Sequence, residues 1–176
     1  MSLIIVLILA VSLSMDAFSL SLAYGTLNMK KTQIKILSII VGIYHFIMPI
    51  IGMYIGSTII DNLPIIPNTL VFIVLFLIGI QMIIESYKED KYIKELTLFE
   101  MLLFGFAVSI DSFTLGLGLK VIYKLPILAA LIFSIISLLF TYLGLNIGKK
   151  INEKVGKIST IVGGVTLMII GLIYII

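Results

Sequence analysis

The stretch Ser14-Met15-Asp16-Ala17-Phe18-Ser19-Leu20 places an acidic side chain inside an apolar run long enough to cross a bilayer, and Ser109-Ile110-Asp111-Ser112-Phe113-Thr114-Leu115 does so again. Both read Ser-apolar-Asp-small-Phe-hydroxyl-Leu, so one motif is written twice. A charged side chain at the centre of a membrane helix costs ~2.5–3.5 kcal/mol even on the lenient insertion scale, and such residues ordinarily mark ion or substrate paths. Two of them in matched settings predict a site where something offsets the charge. The bland alternative is a pair of protonated carboxyl groups that hold helices together.

The rest of the 176-residue chain fits a bilayer setting. It is 61% hydrophobic and 12% charged, with a mean hydropathy of +1.27, which leaves too little polar surface to cover a water-soluble globule. No positive charge precedes the first apolar run, so Met1 to Tyr24 reads as a retained helix and not as a cleaved signal peptide. The absence of cysteine excludes disulfides, thiolate metal sites and cysteine nucleophiles. The net charge of +3 comes from lysine without arginine, and nucleic acid is not implied as a partner.

Six apolar segments, near residues 3–24, 35–59, 65–86, 97–119, 126–147 and 156–176, each approach the ~20 residues that cross a ~30 Å hydrocarbon core. Ten lysines sit in the first, third and fifth loops, against Lys120 and Lys124 in the fourth and none in the second. The positive-inside rule then puts the odd loops in the cytoplasm and both termini outside. The third loop mixes Lys88, Lys91 and Lys94 with Glu89, Asp90 and Glu95 and reads as a solvated connection.

The duplication extends past the aspartates. Gly52-Met53-Tyr54-Ile55-Gly56 is answered by Gly144-Leu145-Asn146-Ile147-Gly148, and Gly79 by Gly171. Three helices per copy make the second copy enter from the opposite side. The expected fold is thus an all-α integral membrane protein of six helices, a 3+3 inverted-topology repeat in one transmembrane domain over 1–176. Repeat one covers about 3–86, a cytoplasmic loop about 87–96 and repeat two about 97–176. Secondary transporters use this plan to place one site between two gates. The Gly-xxx-Gly pairs read as close helix packing, within the bundle or between subunits of a homodimer.

At ~1.5 Å per residue, Asp16 lies about 3 Å to the cytoplasmic side of its helix centre and Asp111 about 4.5 Å to the outer side. They are staggered, and could clamp one ion or form two stations. Ser12 and Ser19 stand one turn from Asp16 on its face, as Thr114 does for Asp111. Ser14, Ser109 and Ser112 would reach the carboxylates only where the backbone departs from a regular helix. His45, the single histidine, lies near the middle of the second segment and answers to Ser137 in the repeat; imidazole is a candidate metal ligand or proton acceptor there, and equally a packing residue. Glu85 closes the third segment, and Glu100 sits three turns before Asp111 on nearly the same face, so both are candidates for a cytoplasmic entrance. No phosphate-binding loop, His-Glu-x-x-His or nucleophile-elbow pattern occurs, and neither aspartate has the setting of an intramembrane aspartyl protease, so an enzyme is not expected.

The two aspartate motifs, Met48-Pro49-Ile50-Ile51-Gly52 and Met82-Ile83-Ile84-Glu85 resemble the MntP-type family of manganese efflux pumps, over essentially the whole chain. The resemblance implies export of Mn²⁺ from a bacterial cytoplasm through the cell membrane, with Asp16 and Asp111 as essential carboxylates, Mn²⁺ as cargo and no resident cofactor. His45 resembles a position held by Glu in some members, and Glu85 an acidic position on the cytoplasmic side. A related branch of the superfamily is linked to sporulation. Export of another cation or small cationic solute, or a non-transporting membrane scaffold, are the competing readings.

Overall fold

The computed structural model describes residues 3–27, 29–59, 72–73, 76–77, 79–80, 82–84, 86–87, 95–122, 125–155 and 157–173. Its helices run in the order α1 (Leu3–Tyr24), α2 (Lys31–Ile59), α3 (Leu98–Val108), α4 (Ile110–Ile122), α5 (Pro126–Val155) and α6 (Lys157–Ile173). Described positions from 72 to 84 are helical as well. Most of the expected third segment, the second loop and Glu85 lie outside the described residues.

Long uninterrupted apolar sequence accounts for these helices, because in lipid a backbone can satisfy its polar groups only within a helix or a closed barrel. Among the described residues, α1, α2 and α5 each contain an apolar stretch long enough to cross a membrane, and α3 with α4, bent by 41°, counts as a fourth if the pair is one span. The protein is a helical membrane protein. In α6, Thr160–Ile173 forms a shorter apolar helix. The expected span near 97–119 is the one that differs from a single straight helix. It starts at a capping box, where the Thr97 hydroxyl accepts from the Glu100 backbone N–H at 3.3 Å and the Glu100 carboxylate accepts from the Thr97 N–H at 2.7 Å. It breaks at Ser109 (φ −103°, ψ 2°), immediately before the second aspartate motif.

The chain crosses over itself in packing. Helix α1 lies chiefly along α5, α3 and α4 lie along α2, and α2 and α5 pack on each other. The helix or bent pair that carries each aspartate motif therefore rests on the long helix that follows the other motif. One apolar cluster gathers Ala17, Leu20, Tyr24, Phe104, Leu145 and Leu167; a second, smaller one gathers Val6, Ala10, Leu13, Met53 and Phe133.

Glycines set the closeness of these crossings. A Cβ on Gly144 would lie 2.7 Å from the Phe18 carbonyl oxygen, and one on Gly148 would lie 2.9 Å from the Gly25 Cα. Gly52 likewise abuts the Phe113 carbonyl, with the Gly116 Cα 3.1 Å from its would-be Cβ. Of the two packing roles the sequence left open, Gly52, Gly144 and Gly148 serve the one inside the bundle. Gly56 lies in α2.

The turn after α1 is buried in spite of its lysine-rich continuation: Tyr24, Thr26, Leu27 and Met29 are all enclosed. Tyr24 stacks on Phe104 with ring centroids 4.4 Å apart. Thr160 donates its hydroxyl to the Thr26 carbonyl at 3.0 Å, and Lys149 donates to the Met29 carbonyl at 2.7 Å. Gln33 donates to the Leu96 carbonyl at 3.2 Å. Beside it, Lys30 and Glu95 form an exposed ion pair.

That pair gives a first expected result. The Lys30 ammonium, by hydrogen bond and by charge, holds the Glu95 carboxyl below the usual carboxylate range. Because the folded-state value is lowered, the pair's contribution is present above the ordinary carboxylate pKa and is lost as pH falls through the depressed value. Exposed ion pairs contribute little, so the readout is titration. In a carboxyl-resolved NMR titration, Glu95 should protonate later on acidification than in the Lys30→Gln variant; identical curves would remove the pairing.

Candidate metal-transport site

Asp16 sits in the middle of α1 on a face that is open in the protein, and Asp111 sits, partly exposed, in the first turn of α4. Asp111 lies near enough for its charge to reach the Asp16 carboxylate. Ser12 and Ser19 share the open face of Asp16, as the sequence spacing requires, with Ser19 donating to the Met15 carbonyl at 2.9 Å. Thr114, one turn beyond Asp111, is exposed as well. Beginning one turn before Asp16 and running to the N-terminal end of α1, a groove of about 310 Å³ is lined by Ile4, Leu7, Ile8, Val11 and Ser12.

Ser14 and Ser109, expected near the carboxylates, spend their hydroxyls on helix packing. Both are fully buried. Ser14 donates to the Ala10 carbonyl at 2.6 Å and pairs with the Ser137 hydroxyl at 2.9 Å. Ser109 donates to the Gly105 carbonyl at 2.7 Å and pairs with His45 Nδ1 at 2.9 Å. Ser14 and Ser109, which hold the same place in the duplicated motif, thus make matching carbonyl bonds and each meet a polar side chain of a neighbouring helix. Ser112 is buried, with no partner for its hydroxyl among the described residues.

His45 is completely enclosed. Its Nδ1 also lies 2.9 Å from the Val41 carbonyl oxygen. A carbonyl can only accept, so Nδ1 carries the proton and Nε2 keeps the lone pair. Among the described residues Nε2 has no partner, and no group of three or more His, Asp or Glu side chains is arranged around one ion position. The expected trio of Asp16, Asp111 and His45 is thus not gathered into a single cage in this conformation. Glu100, expected at a cytoplasmic mouth, caps α3.

Sequence reading gives no polar role to three buried residues of this region: Ser137 enters only as the counterpart of His45, Ser21 only as the counterpart of Gly116, and Thr141 not at all. The repeat register carried the signal for Ser137: once Ser14 matches Ser109, whatever meets Ser109 predicts what meets Ser14.

Comparison with known proteins identifies a family. The family model described as "Putative manganese efflux pump" matches residues 28–175, a stretch that contains Asp111 and begins after Asp16. A Bacillus cereus protein carrying that description with the name MntP is 35% identical over 97% of this chain and 94% of its own length. One of the same name from Methanobrevibacter smithii is 37% identical over 97% of this chain and 95% of its own. No solved structure matches.

Proposed function

This chain belongs to the MntP family of manganese efflux pumps, and from that membership we propose that it exports Mn²⁺ across the cell membrane as a secondary transporter, with Asp16 and Asp111 as the cargo carboxylates. The observation that carries the reading is the pair of aspartates themselves. They come from one duplicated motif and lie on separate helices, with Asp111 within electrostatic reach of Asp16. Two carboxylates balance one divalent cation. Mn²⁺ accepts carboxylate, carbonyl and water oxygens, and a site without thiolate has no special hold on Cu⁺ or Zn²⁺.

Paired contacts support an inverted repeat in which each half completes the other. Ser14 with Ser137 mirrors Ser109 with His45, and Gly144 at the Phe18 carbonyl mirrors Gly52 at the Phe113 carbonyl. In this reading both termini are outside and the lysine-rich loops face the cytoplasm. The ion enters from the cytoplasm, and rocking of the halves exposes it to the other side. Protons entering from outside neutralise the carboxylates and drive release.

The test is the metal content, across several metals, of manganese-challenged cells that lack their own exporter. Expression of this chain should lower manganese, and no change in any metal would overturn the proposal. For coupling, Mn²⁺ accumulation in inside-out vesicles should accelerate when the lumen is made acidic; indifference to the pH gradient removes the proton from the mechanism.

A further inference from the structure

We propose that His45 is a positioning residue, which acts through Ser109 to hold the break that presents Asp111, and that its working atom is Nδ1. The inference rests on the reading of Asp111 as a cargo carboxylate. It starts from a contrast between the two halves. Ser14 and Ser109 make the same bond to the carbonyl four residues earlier, at 2.6 and 2.7 Å, yet α1 runs through Ser14 unbroken while the second span bends by 41° at Ser109. Back-bonding by a serine often bends helices, but the same bond at Ser14 leaves α1 continuous, so the shared bond is not sufficient. What differs is what lies beyond the hydroxyl. Ser14 meets another hydroxyl, Ser137, whereas Ser109 meets an imidazole that is itself fixed to its own helix through the Val41 carbonyl.

The donor count makes the brace directional. Ser109 has one hydroxyl proton, which goes to the Gly105 carbonyl, so toward His45 it accepts; the Nδ1 proton is shared between Val41 and Ser109. The proton of Nδ1 is thereby held between α2 and the last turn of α3. Packing brings the helices near enough for this: a Cβ on Gly105 would lie 2.8 Å from Ile40 Cγ2 and 2.9 Å from Tyr44 Cδ2, both on the turn of α2 that precedes and adjoins His45. The backbone N–H of Ser109 then turns to Phe106 at 3.1 Å, and that of Ser112 to Ser109 at 3.1 Å, a tightened turn that straddles Asp111. The first turn of α4, which carries Asp111, is set by a ring on another span.

Two substitutions separate this role from ligation by Nε2. In Asn the side-chain amide nitrogen occupies nearly the place of Nδ1 and nothing reaches the place of Nε2, whereas Gln reaches toward Nε2 and leaves Nδ1 empty. Manganese export should survive in His45→Asn and fall by about 10–100-fold in His45→Gln and in Ser109→Ala, the range typical of lost supporting contacts. The double variant His45→Gln/Ser109→Ala should be no worse than either single one, because a shared interaction can be lost only once. Retention in His45→Gln with loss in His45→Asn would overturn the proposal in favour of a ligand, and full activity in all variants would overturn it outright. Amounts of protein in the membrane and thermal unfolding in detergent report whether a variant has folded. A second readout is independent of transport: the rate at which a membrane-permeant carbodiimide modifies Asp111, with Asp16 as internal reference. That ratio should change together in His45→Gln and Ser109→Ala and stay as in the wild type in His45→Asn. If the wild type moves no manganese while the ratio behaves so, the cargo reading has failed and the brace stands; an unresponsive ratio removes the brace whatever the cargo.

Discussion

Asp16→Asn and Asp111→Asn should each return the manganese content of challenged cells to that of cells without an exporter, at undiminished levels of protein in the membrane. Asn keeps the shape of Asp and removes its charge, so half of the charge that balances Mn²⁺ disappears with either substitution. Loss of a supporting contact at a metal site typically costs ~10–100-fold, and loss of a charged ligand should exceed that. Stability should move the other way. A charge at the bilayer centre costs ~2.5–3.5 kcal/mol on the insertion scale, so the neutral variants should unfold no sooner than the wild type. Lost activity without lost stability is the signature of residues kept for function at the expense of the fold. A membrane scaffold predicts neutral variants that are stable and fully competent, and export at wild-type rates by both would sink the cargo assignment. The comparison is sharpened by the double variant: a shared ion site makes it no worse than either single one.

The fold was legible where one physical requirement dominates. A helix that crosses lipid must be predominantly apolar through the hydrocarbon core, and α1, Leu3–Tyr24, coincides with such a run. Helix α2 starts at Lys31, four residues before the apolar segment was expected to begin, because a helix can extend into water past the hydrocarbon core and long lysine side chains can follow it. The break at Ser109 was hidden for a different reason. Neither proline nor glycine stands at that position, and the partner, His45, lies on another span, so no local pattern could announce it. The same holds for Ser14 and Ser109. Side chains two residues apart on a helix face different ways, so the sequence lets them reach the carboxylates only where the helix is irregular, and both face the neighbouring helix. The aspartates stood out in the sequence because a membrane charge is costly wherever it points. The burial of Tyr24, Thr26, Leu27 and Met29 did not, since it depends on Phe104, Lys149 and Thr160 arriving from later in the chain.

Gly116→Val should be the most damaging of the packing substitutions. Gly116 follows Asp111 on α4 by five residues, and its would-be Cβ falls 2.6 Å from the Pro49 Cα and 2.8 Å from the Pro49 carbonyl carbon. The obstacle is backbone, and it sits within α2, where Pro49 interrupts the helical hydrogen-bond ladder. Nothing there can rotate away, so the two helices must separate. Overpacking a well-filled interior typically costs ~1–3 kcal/mol, and a clash against main chain, with two added methyl groups, belongs at or above the top of that range. Gly42→Ala supplies the comparison: its Cβ would meet the Leu138 side chain at 3.1 and 3.3 Å and the Ser134 carbonyl oxygen at 3.3 Å, contacts that small shifts can relieve. In detergent, Gly116→Val should therefore unfold well below the wild type and Gly42→Ala close to it. Function should follow position as well as stability. Because α4 carries Asp111 in its first turn, pushing α4 off α2 displaces the carboxylate, and export should fail in Gly116→Val at temperatures where the protein is still folded. Equal unfolding temperatures for the two variants would mean that α2 and α4 do not meet through Gly116, and the close crossing would have to be abandoned.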